Sequence, residues 1–275
     1  MAAVNSALQH MSMLQGESVK VHTRIATGLK VGSASDNGTI WAMAQGMRAS
    51  NNARGEALNS MDLATGVVET ALAAAEGISD LMVEMKGKLV AATDTSLDET
   101  GWRTLMNDFV VLGNQAQRLV DNATFNDINL LKAGADDMSV LLTDNPAIQM
   151  TVAAQDLSDG GGIFDSTLPS TLPLTNADSL ANRPDASMVS DFETSLNAVN
   201  DAVSRLGVSL KALGLHRGLL VKQIDVTDKG IGNLVDADLG RESARLKALM
   251  VREELGMQAF AIANQTPQTI LRFFQ

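Results

Sequence analysis

One apolar stripe in the second half of the chain constrains the fold more than any other feature. Between Val189 and Leu213 apolar residues recur at alternating steps of three and four, and the series resumes at Leu220. This alternation places apolar side chains along one face of a long α-helix, with the period of a left-handed coiled coil. A helix over 187–229 would be roughly 60 Å long at 1.5 Å per residue. We therefore expect other helices to lie along its stripe.

Three other segments have the same period. They cover 1–25, 39–92 and about 97–123, and the last begins after Ser96 and Glu99, which have the spacing of a capping box. The longest stripe comprises Met61, Ala64, Val68, Ala71, Ala75, Ile78, Met82, Met85, Leu89 and Ala92. The shorter one comprises Trp102, Leu105, Phe109, Leu112, Ala116 and Leu119. These segments supply the helices that we expect to cover the central stripe.

The middle of the chain has a different pattern. Apolar residues alternate every second position over 138–142 and 148–153, on either side of a turn composition at 143–146. This pattern predicts a β-hairpin. The following stretch, 156–185, is rich in Gly, Pro, Ser and Thr and has no helical period. We expect it to be an irregular surface excursion.

The C-terminal part predicts one helix end and one new helix. Gly230, Gly232 and Asn233 are strong helix-stop residues, and the acidic residues after them favour a new helix N-terminus. Pro267 predicts that the last turn is bent or separate. The apolar face of this last helix comprises Leu239, Leu246, Leu249, Met257 and Phe260.

The predicted fold class is mainly α. We expect an elongated antiparallel coiled-coil bundle with a terminal helix pair, one β-hairpin and a small irregular excursion. A glycine-rich link at 27–38 separates the first helix from the bundle. Because two helices cannot cover their own apolar surface, we expect the terminal helices to pack against other copies of the chain.

Composition argues against several functional classes. The chain has 32 acidic and 21 basic residues, a net charge of −11, and no basic stripe that would indicate nucleic-acid binding. It has no cysteine, which excludes disulfides and thiolate metal sites. The sequence has no run of 18 apolar residues, so it predicts no membrane-spanning segment. The N-terminus lacks the pattern of a cleaved secretory signal.

No constellation of residues indicates catalysis, a cofactor or a metal. His10, His22 and His216 do not have the spacing of a shared site, and we expect them to be solvated or packed. The acidic pairs Asp136–Asp137 and Asp156/Asp159 do not follow the spacing of an EF-hand. We expect a protein that is not an enzyme.

Three separated segments resemble the signatures of bacterial flagellins. They are RIATGLKVGSASDN over 24–37, TFNDINLL over 124–131, and GNLVDAD over 232–238 together with ANQ over 263–265. The sequences of these segments, and the short middle part of the chain, are most similar to those of the multiple flagellins of alphaproteobacteria. Two departures stand out: Asp127 occupies a position where the family usually has Gly, and the chain begins about eight residues late, or roughly 12 Å of helix.

The resemblance implies a division into layers. Residues 1–38 (a helix and a spoke) and the helix of 233–275 would form an inner layer, D0. Residues 39–155 (helices and the β-hairpin) and the helix of 188–232 would form a surrounding layer, D1. Residues 156–187 would be the variable surface excursion.

The resemblance also implies a function. The chain would be a structural subunit of the extracellular flagellar filament, exported unfolded through the type III channel and self-assembling for motility. Its partners would be copies of itself, other flagellins, the hook–filament junction and cap proteins, and an export chaperone on the C-terminal helix. The alternatives are a junction protein or specialised minor flagellin, and, with less support, a helical signalling protein.

Three sets of residues are candidates for these roles. The expected subunit interface comprises Val4, Met11, Leu14, Val21, Ile25, Leu239, Leu246, Leu249, Met257, Phe260, Asn264, Gln265, Leu271 and Phe273. The expected spokes comprise Gly28, Gly32, Ser33, Asp36, Asn37, Gly230, Gly232 and Asn233. The hydroxyls that we expect to accept O-linked glycans are those of Ser166, Thr167, Ser170, Thr171 and Thr175.

Overall fold

The structure is a computed structural model that describes residues 2–158 and 183–272, with backbone alone for 2–4, 7 and 262–272. Within these ranges the chain forms five α-helices and one two-stranded sheet, which confirms the mainly α fold class. The elements are α1 (Ala2–Thr27), α2 (Gly38–Ala92), α3 (Glu99–Asn122), β1 (Met138–Leu141), β2 (Gln149–Val152), α4 (Ala186–Val235) and α5 (Leu239–Arg272). The chain divides into two compact units, a central unit over 52–223 and a terminal unit that combines 1–51 with 224–275.

The core of the central unit follows the predicted stripe of α2. All ten predicted positions from Met61 to Ala92 are buried, each with 3% or less of its surface exposed. Helix α4 runs antiparallel to α2 in this unit, because Asp62 pairs with Arg217 whereas Lys86 pairs with Glu193. The stripe of α4 buries Phe192, Ser195, Val199, Ala202, Leu206, Leu213 and Leu220. The predicted positions Val189, Leu196, Val203 and Leu210 are half-buried and pack against the same core.

Helix α3 covers the core in a slightly different phase from the predicted one. Its buried positions are Trp102, Met106, Phe109, Gly113, Ala116 and Val120, whereas Leu105, Leu112 and Leu119 are half-buried. The rings of Phe109 and Phe192 meet edge to face with centroids 5.5 Å apart. Most of the half-buried leucines stand next to another apolar residue, so the sequence is compatible with burial of either set. Packing against the rest of the core determines which set is buried.

The start of α3 corrects the predicted capping box. The helix begins at Glu99, and the N-cap is Asp98, whose carboxylate accepts a hydrogen bond from the amide of Gly101 at 2.8 Å. Ser96 lies before the helix, and its amide donates to Asp94 instead. An aspartate accepts from an exposed helical amide as well as a serine does, so Asp98 displaces the start by two residues.

The predicted β-hairpin is confirmed. Strands β1 and β2 are antiparallel, with Met138 opposite Val152 and Leu141 opposite Gln149. Val140 and Val152 are buried in the core of the central unit. The chain of the predicted excursion is described only over 156–158 and 183–185, so the rest of it lies outside the described residues.

Two predicted helix breaks differ from the structure, the first fully and the second in part. Helix α4 continues through Gly230, Gly232 and Asn233 to Val235, because Ile231 and Val235 are buried in an apolar cluster of the terminal unit. This packing outweighs the low helix propensity of glycine, about 1 kcal/mol per residue. Helix α5 continues through Pro267 to Arg272, so the last turn is not a separate element, and the bend at Pro267 stays a prediction.

Candidate assembly interface

Helices α1 and α5 pack against each other in the terminal unit. Leu14, Val21 and Leu249 are buried between them, and Ile25 and Leu246 pack against this cluster. The structure therefore brings together five of the predicted interface residues within one chain. These five side chains hold the helix pair together within the chain, and other surfaces of the pair are exposed.

Other predicted interface residues lie apart from this cluster. Leu239 and Met257 are exposed, with 48% and 52% of their surface accessible, and Phe260 is half-buried. Met11 is half-buried, and its Sδ lies 3.2 Å from where a β-carbon on Gly256 would stand. The side chains of Val4, Asn264, Gln265, Leu271 and Phe273 lie outside the described residues.

The outward surfaces of the helix pair carry apolar residues that the sequence analysis did not identify. The side chains concerned are at least half exposed and comprise Leu8, Met13 and Val19 on α1 and Met250, Val251 and Leu255 on α5. Val251 and Leu255 are four residues apart, which places them on one helix face. A search for a second, weaker stripe on each helix would have found this pair.

An ion pair reinforces the same pair of helices. A guanidinium nitrogen of Arg24 on α1 lies 3.3 Å from Oε1 of Glu242 in the first turn of α5. The carboxyl group of Glu242 is almost entirely buried, and its other oxygen, Oε2, has no hydrogen-bond partner among the described residues. Arg24, together with the N-terminus of α5, therefore compensates for a charge removed from water.

The N-terminal link is joined to the end of α4 by backbone hydrogen bonds. The amide of Ala237 donates to the carbonyl of Gly28 at 2.8 Å, and the amide of Lys30 donates to the carbonyl of Val235 at 2.7 Å. Leu29 and Asp236 form an isolated antiparallel bridge. The N-terminal link is therefore paired through its backbone with the segment between α4 and α5.

A compact turn follows in the same link. The carboxylate of Asp36 accepts hydrogen bonds from the amide and hydroxyl of Ser33 and from the amide of Gly32, at 3.0 to 3.1 Å. The bonds from Ser33 and then Gly32 hold the pKa of Asp36 below its ordinary value of 3.8. Asn37 then accepts from the amide of Ile40 and so caps the start of α2.

The remaining predicted spoke residues lie in a helix. Gly230, Gly232 and Asn233 belong to the last turns of α4, and the carbonyl of Gly232 accepts the amide of Asp236 at 2.8 Å. Lys30 reaches the carbonyl of Asn233 at 3.5 Å. Whether these residues act as a spoke stays a prediction.

Two of the acidic side chains considered for a metal accept local hydrogen bonds, and Asp159 lies outside the described residues. Asp137 accepts from the amide of Ala154, and Asp156 accepts from the amide and hydroxyl of Ser158. All three histidines are exposed. Across 2–158 and 183–272 no three His, Asp or Glu side chains are grouped as a metal site, and no helix in these ranges has the length and apolarity to cross a bilayer.

Comparison with known proteins decides the family. Residues 1–136 match the bacterial flagellin N-terminal helical region, and residues 189–274 match the bacterial flagellin C-terminal helical region. The chain belongs to the flagellin family. The matched ranges contain α1 and α5, whose exposed surfaces are described above.

Alphaproteobacterial flagellins align with this flagellin over nearly its whole length. Flagellin FljJ of Caulobacter vibrioides is 39% identical, and flagellin FljM of the same organism is 36% identical; each alignment covers 98% of this chain and 95% of the relative. A flagellin of Brucella melitensis is 30% identical over 98% of this chain and 96% of its own. The crystal structure of Bacillus cereus flagellin is 18% identical over 68% of this chain and 94% of its own, with a TM-score of 0.42.

Membership of the family establishes the class of function. Flagellins are structural proteins that form the extracellular flagellar filament, and they are not enzymes. This flagellin is accordingly a structural subunit of a flagellar filament. The matches do not favour the alternatives of a junction protein or a helical signalling protein.

Proposed function

We propose that this flagellin polymerises through the outward surfaces of α1 and α5. The observation that carries the proposal is the set of exposed apolar side chains on these two helices, which no part of the described chain covers: Leu8, Met13, Val19, Leu239, Met250, Val251, Leu255 and Met257. Burial of such surface stabilises an assembly by about 25 cal/mol per Å² of apolar area. Because flagellins form filaments, we take the partner that buries this surface to be another subunit.

The chemistry of the two helices favours an open assembly. The exposed residues of α1 and α5 differ in identity and spacing, so a contact between α5 of one copy and α1 of the next is heterologous. Heterologous contacts that do not close into a ring build a helical filament. Buried Leu14, Val21 and Leu249 hold each pair together while its outward surfaces meet neighbouring subunits.

The route to the filament forms part of the same proposal. The chain would leave the cell unfolded through the type III channel, with an export chaperone on its C-terminal helix, and its net charge of −11 would keep monomers apart in solution. It would then join a filament outside the cell, next to other flagellins and to the cap and hook–filament junction proteins. The ranges 1–38 and 233–275 would form the inner layer, and 39–155 and 188–232 the outer one.

The proposal is tested by making the outward surface of α5 polar. Purified protein carrying Leu255→Ser and Met257→Ser is seeded with short filament fragments, and filament length is measured by negative-stain microscopy. We expect short or no filaments, because the polar side chains remove apolar surface from the subunit contact. Circular dichroism should match the wild type, since both side chains are exposed in the folded chain.

Two controls make the result specific. The apolar exchange Met257→Leu keeps the surface character and should polymerise normally. Leu249→Asp places a charge in the buried α1–α5 cluster and should prevent assembly by separating the helices. Filaments of wild-type length from the double serine variant would overturn the proposal.

A modification of the variable segment is a second proposal. Five hydroxyl residues cluster within 166–175: Ser166, Thr167, Ser170, Thr171 and Thr175. We propose that some of them carry O-linked glycans in the secreted protein. An intact mass equal to that of the bare chain would rule this out.

A further inference from the structure

Helix α4 has a second apolar face opposite the one that fills the core. Its buried face carries Leu206, Leu213 and Leu220, whereas 66%, 69% and 52% of the surface is exposed at Val208, Leu215 and Leu219, respectively. An α-helix has 3.6 residues per turn, so these two sets of side chains lie on opposite sides of it. The predicted stripe accounts for the first set alone.

This second face is also basic. Between Asp201 and Asp225 the sequence contains no acidic residue, although the chain as a whole is strongly acidic. Arg217 pairs with Asp62 in its own chain, whereas Lys211 and Lys222 are exposed and have no ion-pair partner among the described residues. We define the basic face as Val208, Lys211, Leu215, Leu219 and Lys222.

Helix α2 presents a complementary surface in the same unit. Its outward side carries Glu69, Ala73, Glu76, Asp80 and Val83, all of which are exposed, and we define these residues as the acidic face. Glu69, Glu76 and Asp80 have no ion-pair partner in the part of the chain that the structure describes. Val83 is 60% exposed and supplies apolar surface next to the charges.

The spacing of the charges matches between the two faces. Lys211 and Lys222 are eleven residues apart, as are Glu69 and Asp80, which is about 16 Å along a helix. Two lysines of one helix therefore reach two carboxylates of the other at the same time, in either direction of the helices. In the parallel arrangement Leu215 lies opposite Ala73, whose small side chain leaves room for it.

We propose that the basic face of one subunit docks on the acidic face of a second copy of this chain. This inference rests on the proposed function and adds a lateral contact, made by the central units, to the contacts made by α1 and α5. Because the two faces differ, the contact repeats from copy to copy rather than closing into a dimer. Charge complementarity fixes which neighbour is accepted and at what register.

Charge exchange tests the contact. One variant carries Lys211→Glu and Lys222→Glu, and a second carries Glu69→Lys and Asp80→Lys. In seeded polymerisation each should raise the critical concentration about tenfold or more, because like charges then face each other across the contact. The chain that carries all four substitutions restores opposite charges and should return towards the wild-type value.

A matched control changes the same number of charges elsewhere. Arg118→Glu with Lys132→Glu alters two exposed basic residues outside both faces and should polymerise as the wild type does. If the lysine variant also polymerises normally, or if the fourfold variant remains as impaired as its parents, the docking of these faces is overturned. The variant with Leu255→Ser and Met257→Ser tests the contacts of α1 and α5 independently. One proposal can therefore be overturned while the other stands.

Discussion

The amide of Ala237 donates a hydrogen bond to the carbonyl of Gly28 across 2.8 Å, which ties the link after α1 to the start of α5. Gly28 has a φ of +71°, in the left-handed region. Gly28→Ala should lower the stability of the terminal unit by about 1–2 kcal/mol, because a β-carbon strains this conformation. Native-state hydrogen exchange of the amides of Leu29 to Val31 measures the loss.

A second glycine provides the control for this substitution. Gly16 lies inside α1, with no atom within 4 Å of where its β-carbon would stand. Gly16→Ala should stabilise α1 by about 1 kcal/mol, since alanine has the higher helix propensity. If both alanine variants shift stability in the same direction, the left-handed conformation of Gly28 is not what limits that position.

In the tight turn after α3, a substitution to glycine should raise stability, whereas the loss of glycine at position 28 should lower it. Phe125 and Ile128 exchange two backbone hydrogen bonds of 3.0 Å, and the two residues between them, Asn126 and Asp127, have φ values of +50° and +62°. A two-residue loop with both φ values positive is of type I′, for which Asn-Gly is the favoured sequence. This geometry explains why a glycine is expected where this chain has Asp127.

Asp127→Gly should therefore raise the free energy of unfolding of the central unit, by up to about 1 kcal/mol. Asp127→Ala should lower it by a similar amount, because alanine has neither the freedom of glycine nor a side chain that bonds its own backbone. Urea denaturation followed by the fluorescence of Trp102 compares the three proteins, each in a Trp41→Phe background that removes the other tryptophan. Equal midpoints for glycine and alanine would contradict the turn assignment.

Protonation of Asp36 should loosen the turn in the N-terminal link. Hydrogen bonds from Ser33 and Gly32 depress the pKa of Asp36 below 3.8. A depressed pKa means that the carboxylate stabilises the turn fully above pH 3.8, and that this contribution disappears as the pH falls through the pKa of the folded protein. The amide resonances of Gly32 and Ser33 should then move toward random-coil positions in an acid titration.

Asp36→Asn is the matched control for the titration. It keeps the shape of the side chain and removes its charge, so the same amide resonances should no longer respond to acid in this range. A variant that titrates as the wild type does would assign the transition to another group.

The buried stripes could be predicted from the sequence because one face of each helix dominates. In α2 every position from Met61 to Ala92 in the alternation is buried, since the three-four alternation continues without interruption over all ten positions. In α3 the sequence offers Leu105 beside Met106, and periodicity alone cannot choose between them. The choice depends on packing against Phe192 and its neighbours, which is information held by a distant part of the chain.

The candidate interface could be predicted only in part, for a related reason. The stripe of α5 combines Leu246 and Leu249, which bind α1, with Leu239 and Met257, which remain exposed. A sequence pattern does not distinguish burial within a chain from burial between chains. Local helix-stop signals failed at Gly230 because the burial of Ile231 and Val235 outweighs the propensity of single residues.

The ion pair between Arg24 and Glu242 supports a final prediction, on the terminal unit. Arg24→Met removes the one charged partner that the described residues provide for a carboxylate that is almost entirely buried. We expect a loss of about 1–3 kcal/mol in the stability of the α1–α5 pair, because the unpaired buried group keeps its desolvation cost. Combining it with Glu242→Leu removes that charge, so the double variant should be more stable than Arg24→Met alone. Hydrogen exchange of amides in α1 compares the proteins, and a double variant as unstable as the sum of its single variants would show that the two side chains act independently.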